Sequence, residues 1–117
     1  MCGNNQLEGL ASARMTMDEY IRAAARTDSN QELIYYAIGM AEEGGEVLSL
    51  LKKHVYHGHP LDRDKLILEL GDVAWSFFRM CAHLGVSPEE VFRKNNEKLL
   101  RRYPNGFSSQ QSIERKE

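Results

Sequence analysis

Apolar residues recur along this chain at intervals of three and four, the spacing of one face of an α-helix. At about 100° per residue, Leu33, Ala37, Met40, Gly44, Val47, Leu48 and Leu51 share one stripe. Leu66, Leu70, Val73, Ala74, Phe77 and Cys81 share another. No run alternates with the period of a strand, and no segment repeats. The pattern predicts an all-α chain, an antiparallel helix bundle of about four helices.

Local signals set the boundaries. Thr16-Met17-Asp18-Glu19 has the form of a capping box and opens a short helix to about Arg26. Ser29-x-x-Glu32 has the same form and opens a long helix to about Tyr56. Gly58, followed by Pro60, ends it. Asp62 is the expected cap of a third helix, which Gly85 stops near Leu84. Ser87-Pro88-Glu89-Glu90 starts a fourth, with Glu closing the box, and it runs to about Tyr103. Pro104-Asn105-Gly106 is a turn. Residues 1–15 are expected to form a loose arm, 16–107 a single all-α domain and 108–117 a polar tail.

Composition narrows the classes of function. A chain of 117 residues with net charge −2 has no excess of cations to draw it to nucleic acid or an anionic membrane. No apolar run reaches the roughly 18 residues of a membrane span, and the first residues lack the apolar core of a secretory signal. A cytoplasmic protein is expected, with Cys2 and Cys81 as reduced thiols. His54, His57 and His59 cluster near the turn and are read as loop histidines.

The chemistry lies in two acidic pairs, Glu43-x-x-Glu46 and Glu69-x-x-Asp72. Each pair sits at i, i+3 and so on one helix face. Both border their apolar stripes with the same rotational offset. The short connection from Tyr56 to Asp62 favours an antiparallel hairpin, in which equal offsets project to the same side. Their depths agree to roughly four residues, or ~6 Å. Four carboxylates around one space repel unless they share a cation or a proton. Oxygen-only ligands suit Mg²⁺, with Mn²⁺ as a substitute, rather than zinc. The absence of a Glu-x-x-His partner argues against a di-iron centre.

These residues resemble a known family. Gly39-Met40-Ala41-Glu42-Glu43-Gly44-Gly45-Glu46-Val47 and Glu69-Leu70-Gly71-Asp72-Val73-Ala74-Trp75 are similar to the ExxE…ExxD signature of the MazG-like all-α nucleoside triphosphate pyrophosphohydrolases. Asn95-Asn96-Glu97-Lys98-Leu99-Leu100-Arg101-Arg102-Tyr103-Pro104-Asn105-Gly106-Phe107 resembles that family's N-x-x-K-L-x-x-R-Y-P-x-G-F element. The likeness runs from about Thr16 to Arg115. It implies cleavage of a (d)NTP between the α- and β-phosphates to a monophosphate and pyrophosphate. It also implies Mg²⁺ on Glu43, Glu46, Glu69 and Asp72, and a homodimer or homotetramer that completes the bundle. Glu42 stands where many relatives carry a small residue, and on the wheel it points away from the apolar stripe.

Asn95, Lys98 and Arg102 share one face of the fourth helix and are candidate substrate donors. Arg79, on the Glu69/Asp72 side of the third helix, is placed either on phosphate or in a salt bridge to an acid. Trp75 lies opposite its stripe, where an exposed indole points to a subunit interface. Two other functions fit: hydrolysis of phosphoribosyl-ATP, and a non-catalytic helical dimerisation module. Base and sugar preference, the oligomer, the number of metal ions and the identity of the general base are not written in these patterns.

Overall fold

A computed structural model describes residues 14–115. The expected arm, with Cys2, therefore falls almost wholly outside the described residues, as do the last two positions of the tail. The described chain is helical: α1 (Met17–Ala25), α2 (Leu33–His57), α3 (Arg63–Leu84), α4 (Pro88–Arg102) and α5 (Ser109–Ile113). It divides into two compact units, one running through Leu84 and the other starting at Gly85.

In the first unit α2 and α3 form a long antiparallel hairpin, and α1 packs on α3. The helix ends are built by local chemistry. Thr16 Oγ1 accepts the Glu19 amide at 3.1 Å, and the Glu19 carboxylate accepts the Thr16 amide in return. Gly58 ends α2 at φ +73°, a left-handed conformation that suits glycine. Asp62 caps α3 by accepting the Lys65 amide at 3.0 Å. Gly85, again at φ +73°, follows the last turn of α3.

The start of α2 differs from the capping-box expectation. The cap is Glu32, without a side-chain bond, and Ser29 instead accepts from Gln31 Nε2. Asp28 pre-empts the box. Its carboxylate accepts the Asn30 amide at 2.9 Å, and Asn30 takes φ +56°, so the chain is still turning where Ser29 would have begun a helix.

The packing of the hairpin also corrects the helical wheel. Leu48 and Leu70, both assigned to the facing stripes, are 69% and 57% exposed. Tyr36 and Ser76 are buried, and Ser76 lies against Gly39. The line of contact runs through Tyr36, Gly39 and Ser76, so the acids of α3 lie in the seam and not on its flank. The wheel orients a helix on the assumption that the chain buries its apolar face within itself. Among the described residues only Ala24, Tyr36, Cys81 and Pro88 are buried apolar side chains.

In the second unit Ser87 caps α4 by accepting the Glu90 amide at 3.1 Å, with Pro88 in the first turn. Glu90 does not close the box; its carboxylate lies 3.5 Å from Lys94 Nζ, one turn on. Gly106, at φ +90°, closes the turn after α4, and the Tyr103 and Phe107 rings lie 5.4 Å apart. The expected polar tail holds a helical turn, α5, capped by the Ser108 hydroxyl on the Gln111 amide. One turn is too short to leave an apolar period, so the pattern gave no sign of it. No helix among the described residues is long and apolar enough to cross a membrane.

Candidate metal centre

Glu43 comes from α2, and Glu69 and Asp72 come from one face of α3. Each of the three offers a carboxylate oxygen, and these atoms lie within 4.8 Å of one another. The hydrogen bond between Glu43 and Glu69 does most to push the Glu43 carboxyl up, to about 7; burial and the charges of Asp72, Glu69 and Glu46 act in the same direction. Three acids this close hold more negative charge than the protein alone balances. A proton between Glu43 and Glu69 is one remedy, and a hard divalent cation is the other. The donor set, all oxygen and converging from two helices, fits such a cation.

Glu46 is exposed and lies outside the group of three, one turn beyond Glu43, although its charge is felt there. The expected fourfold cluster is therefore a threefold one with a fourth acid beside it. Asp72 also reaches α1: burial first, and then the Asp72 charge, pushes the Tyr20 hydroxyl up. Tyr20 is held edge-on to Phe78, with ring centres 5.3 Å apart.

A cavity of about 350 Å³ adjoins the acids. Glu43 and Asp72 form part of its wall, and Tyr35, Ile38, Gly39, Glu42, Trp75 and Ser76 form the rest. The volume is in the range of small-ligand sites. Trp75 is half-buried and not exposed as the wheel placed it. Its indole N–H donates to the Ala24 carbonyl at 3.2 Å and to the Thr27 hydroxyl at 2.9 Å, which ties the end of α1 to α3.

Behind the cavity lies a network that no sequence pattern announced. The Asp28 side chain is 1% exposed. Its carboxylate receives hydrogen bonds from Tyr36 Oη and from Arg79 Nε, the latter at 2.7 Å, and lies 2.8 Å from His83 Nε2. His83 stacks on Tyr36 with ring centres 4.7 Å apart. Burial pushes the Asp28 carboxyl up, but the bonds from Tyr36, Arg79, His83 and the Asn30 amide outweigh it and hold the group well below the usual carboxylate range. Of the two placements considered for Arg79, the structure has the ion pair. Partners separated by about fifty residues leave no local trace, and only the isolated Asp28 in a linker hinted at a role.

Asn95, Lys98 and Arg102 all lie on α4, in the second unit. Asn95 and Lys98 are exposed. Arg102 lines a small hollow with Arg101, Gln111, Glu114 and Arg115. The turn histidines belong to no metal-binding group among the described residues. His54 Nδ1–H donates to the His59 carbonyl at 2.8 Å and braces the loop. Cys81 is a free, buried cysteine whose thiol burial pushes up.

Comparison with known proteins agrees with the acidic signature. The model of the MazG nucleotide pyrophosphohydrolase domain matches residues 29–107, which include all four acids and the α4 element. The "Gene 37 protein" of Mycobacterium phage L5 is 32% identical over 87 residues, covering 71% of this chain and 76% of that protein. No solved structure gives a significant match.

Proposed function

The chain belongs to the MazG nucleotide pyrophosphohydrolase domain family, and on that premise we propose that it hydrolyses nucleoside triphosphates between the α- and β-phosphates. The observation that carries this reading is the convergence of Glu43, Glu69 and Asp72 within 4.8 Å beside a cavity of about 350 Å³ that Glu43 and Asp72 help to line. Glu43, Glu69 and Asp72 hold the metal, with Glu46 beside them. Bound Mg²⁺ would supply charge neutralisation at the phosphates and a more acidic water.

The protein groups do the rest. Glu43, raised to about 7 beside Glu69, would hold the cation as a carboxylate, with its proton released to solvent. Glu46 is left to take a proton from the attacking water. The nucleoside lies along the cavity toward Tyr35 and Trp75, which shields one side of the reacting phosphate from solvent. Asn95, Lys98 and Arg102 on α4 offer donors suited to the phosphate or sugar oxygens of the substrate. The chemistry of one phosphate anhydride bond needs nothing more than positioning and charge.

We further propose that the active form is a homo-oligomer. Val55, Leu48, Leu68 and Leu70 are each more than half exposed on the hairpin, an apolar surface that a lone soluble chain rarely shows.

The test is a panel of NTPs and dNTPs with Mg²⁺, in which pyrophosphate and orthophosphate are measured separately. The expected products are monophosphate and pyrophosphate. Glu69→Gln and Asp72→Asn are expected to remove turnover while keeping helicity. Orthophosphate alone, or turnover that survives both substitutions, would rule the reading out. Activity confined to phosphoribosyl-ATP would keep the chemistry and change the substrate.

A further inference from the structure

The cavity beside the acids mixes two chemistries: Glu43 and Asp72 bring carboxylates to its wall, and Tyr35 and Trp75 bring aromatic rings. The Trp75 N–H is already used on Ala24 and Thr27, so the indole offers the cavity an apolar body and no donor. Gly39 and Ser76, also in the wall, close against each other across the hairpin.

Glu42 lines this same cavity, yet it stands outside the cluster of three acids. The geometry of a helix explains this. Side chains lean toward the helix N-terminus and cover the turn before their own Cα. Glu43 leans the same way, so it is the ~100° between neighbouring positions on the helix that turns Glu42 away from the cluster while leaving it in the cavity wall. A nucleotide with its phosphates at the acids and its base against the aromatic rings places its sugar between the two, along the wall that Glu42 shares. A carboxylate accepts hydrogen bonds and donates none, and sugar hydroxyls are suited donors.

Resting on the nucleotide reading above, we propose that Glu42 is a specificity-determining residue that accepts a hydrogen bond from a hydroxyl of the nucleoside's sugar. It sorts substrates by their sugar, while the aromatic rings in the cavity wall take the base by its face.

The experiment compares kcat/KM for one ribonucleoside triphosphate and its 2′-deoxy and 3′-deoxy counterparts, in the unaltered protein and in Glu42→Ala and Glu42→Gln. Pyrophosphate release with Mg²⁺ is the readout. The unaltered protein is expected to lose roughly ten- to hundredfold when the hydroxyl that meets Glu42 is missing. Glu42→Ala is expected to be slower by a similar factor on the complete substrate and to lose nothing more on the deoxy one, because both changes remove the same bond. Glu42 is exposed, so circular dichroism is expected to be unchanged. Sugar discrimination that is equal with and without the carboxylate overturns the proposal and leaves the hydrolysis standing. So does a variant that reorders bases in a wider panel and not sugars. No pyrophosphate from the unaltered protein on any nucleotide overturns the nucleotide reading, and this proposal with it.

Discussion

Gly39 of α2 and Ser76 of α3 meet so closely that a methyl group on Gly39 would lie 2.6 Å from the Ser76 hydroxyl oxygen. Ser76 is buried, so the hydroxyl has little room to yield. Gly39→Ala gains up to ~1 kcal/mol of helix propensity and loses about 1–3 kcal/mol to overpacking. The expected result is a protein about 1 kcal/mol less stable in urea unfolding. Adding Ser76→Ala is expected to restore it, because the next atom, Ser76 Cβ, would stand at an ordinary 3.5 Å. A double variant no better than the single one would contradict this account.

Asp28 collects a cation, a histidine and a phenol in one nearly buried carboxylate. Asp28→Asn leaves Arg79 without its counter-charge and is expected to cost about 3 kcal/mol. The pH dependence follows from the depressed pKa. The stability that Asp28 supplies is complete above the ordinary carboxylate range and is lost as pH falls through that range and below it. Urea titrations at neutral and acid pH check this: the gap between the unaltered protein and the asparagine variant should close in acid.

Glu43 behaves in the opposite sense. Its pKa is raised from 4.5 to about 7, so the folded, metal-free protein holds the extra proton in that window. Stability without metal is therefore expected to fall as pH rises from about 4.5 to about 7. Calorimetry in chelator gives the slope. Saturating Mg²⁺ is expected to flatten it by replacing the proton, and Glu69→Gln to flatten it by removing the partner charge. A thermal midpoint that ignores pH in chelator would count against a shared proton.

Trp75→Phe keeps the apolar bulk and deletes the N–H that Ala24 and Thr27 share. The expected cost is about 1 kcal/mol. Trypsin cleavage after Arg26, at the exposed end of α1, should become faster by roughly fivefold, the equivalent of that cost, if this bond fastens the segment. An unchanged cleavage rate would show that α1 is held by its apolar contacts alone.

What could be read in advance was local chemistry. Thr16, Gly58, Asp62 and Ser87 end or begin helices through bonds to residues a few positions away, and the sequence carries those spacings openly. The pairing of Glu43 with Glu69 and Asp72 was legible because a short turn forces an antiparallel hairpin. Two kinds of feature were hidden. The Asp28 network joins side chains with no periodic relation, and it displaced a Ser29 cap that looked sound in isolation. The rotation of α2 against α3 was hidden because Leu48 and Leu70 keep their apolar faces outward, where a wheel has no means to put them. Glu42, adjacent in sequence to Glu43 but outside the cluster, is seen as part of the cavity only once the helices are packed.

The contacts that fasten the end of α1 and its linker to α3 bridge 48 to 55 residues of chain. The hairpin of α2 and α3 needs only a short turn to begin, whereas these contacts close a long loop and repay its entropy only once both helices are in place. They are therefore expected to form late, after the main folding barrier. Interactions made beyond the barrier leave the rate of folding alone and slow the rate of unfolding. The buried carboxylate at residue 28 is thus expected to act as a latch in time, setting how long each folded molecule lasts and not how quickly it arrives.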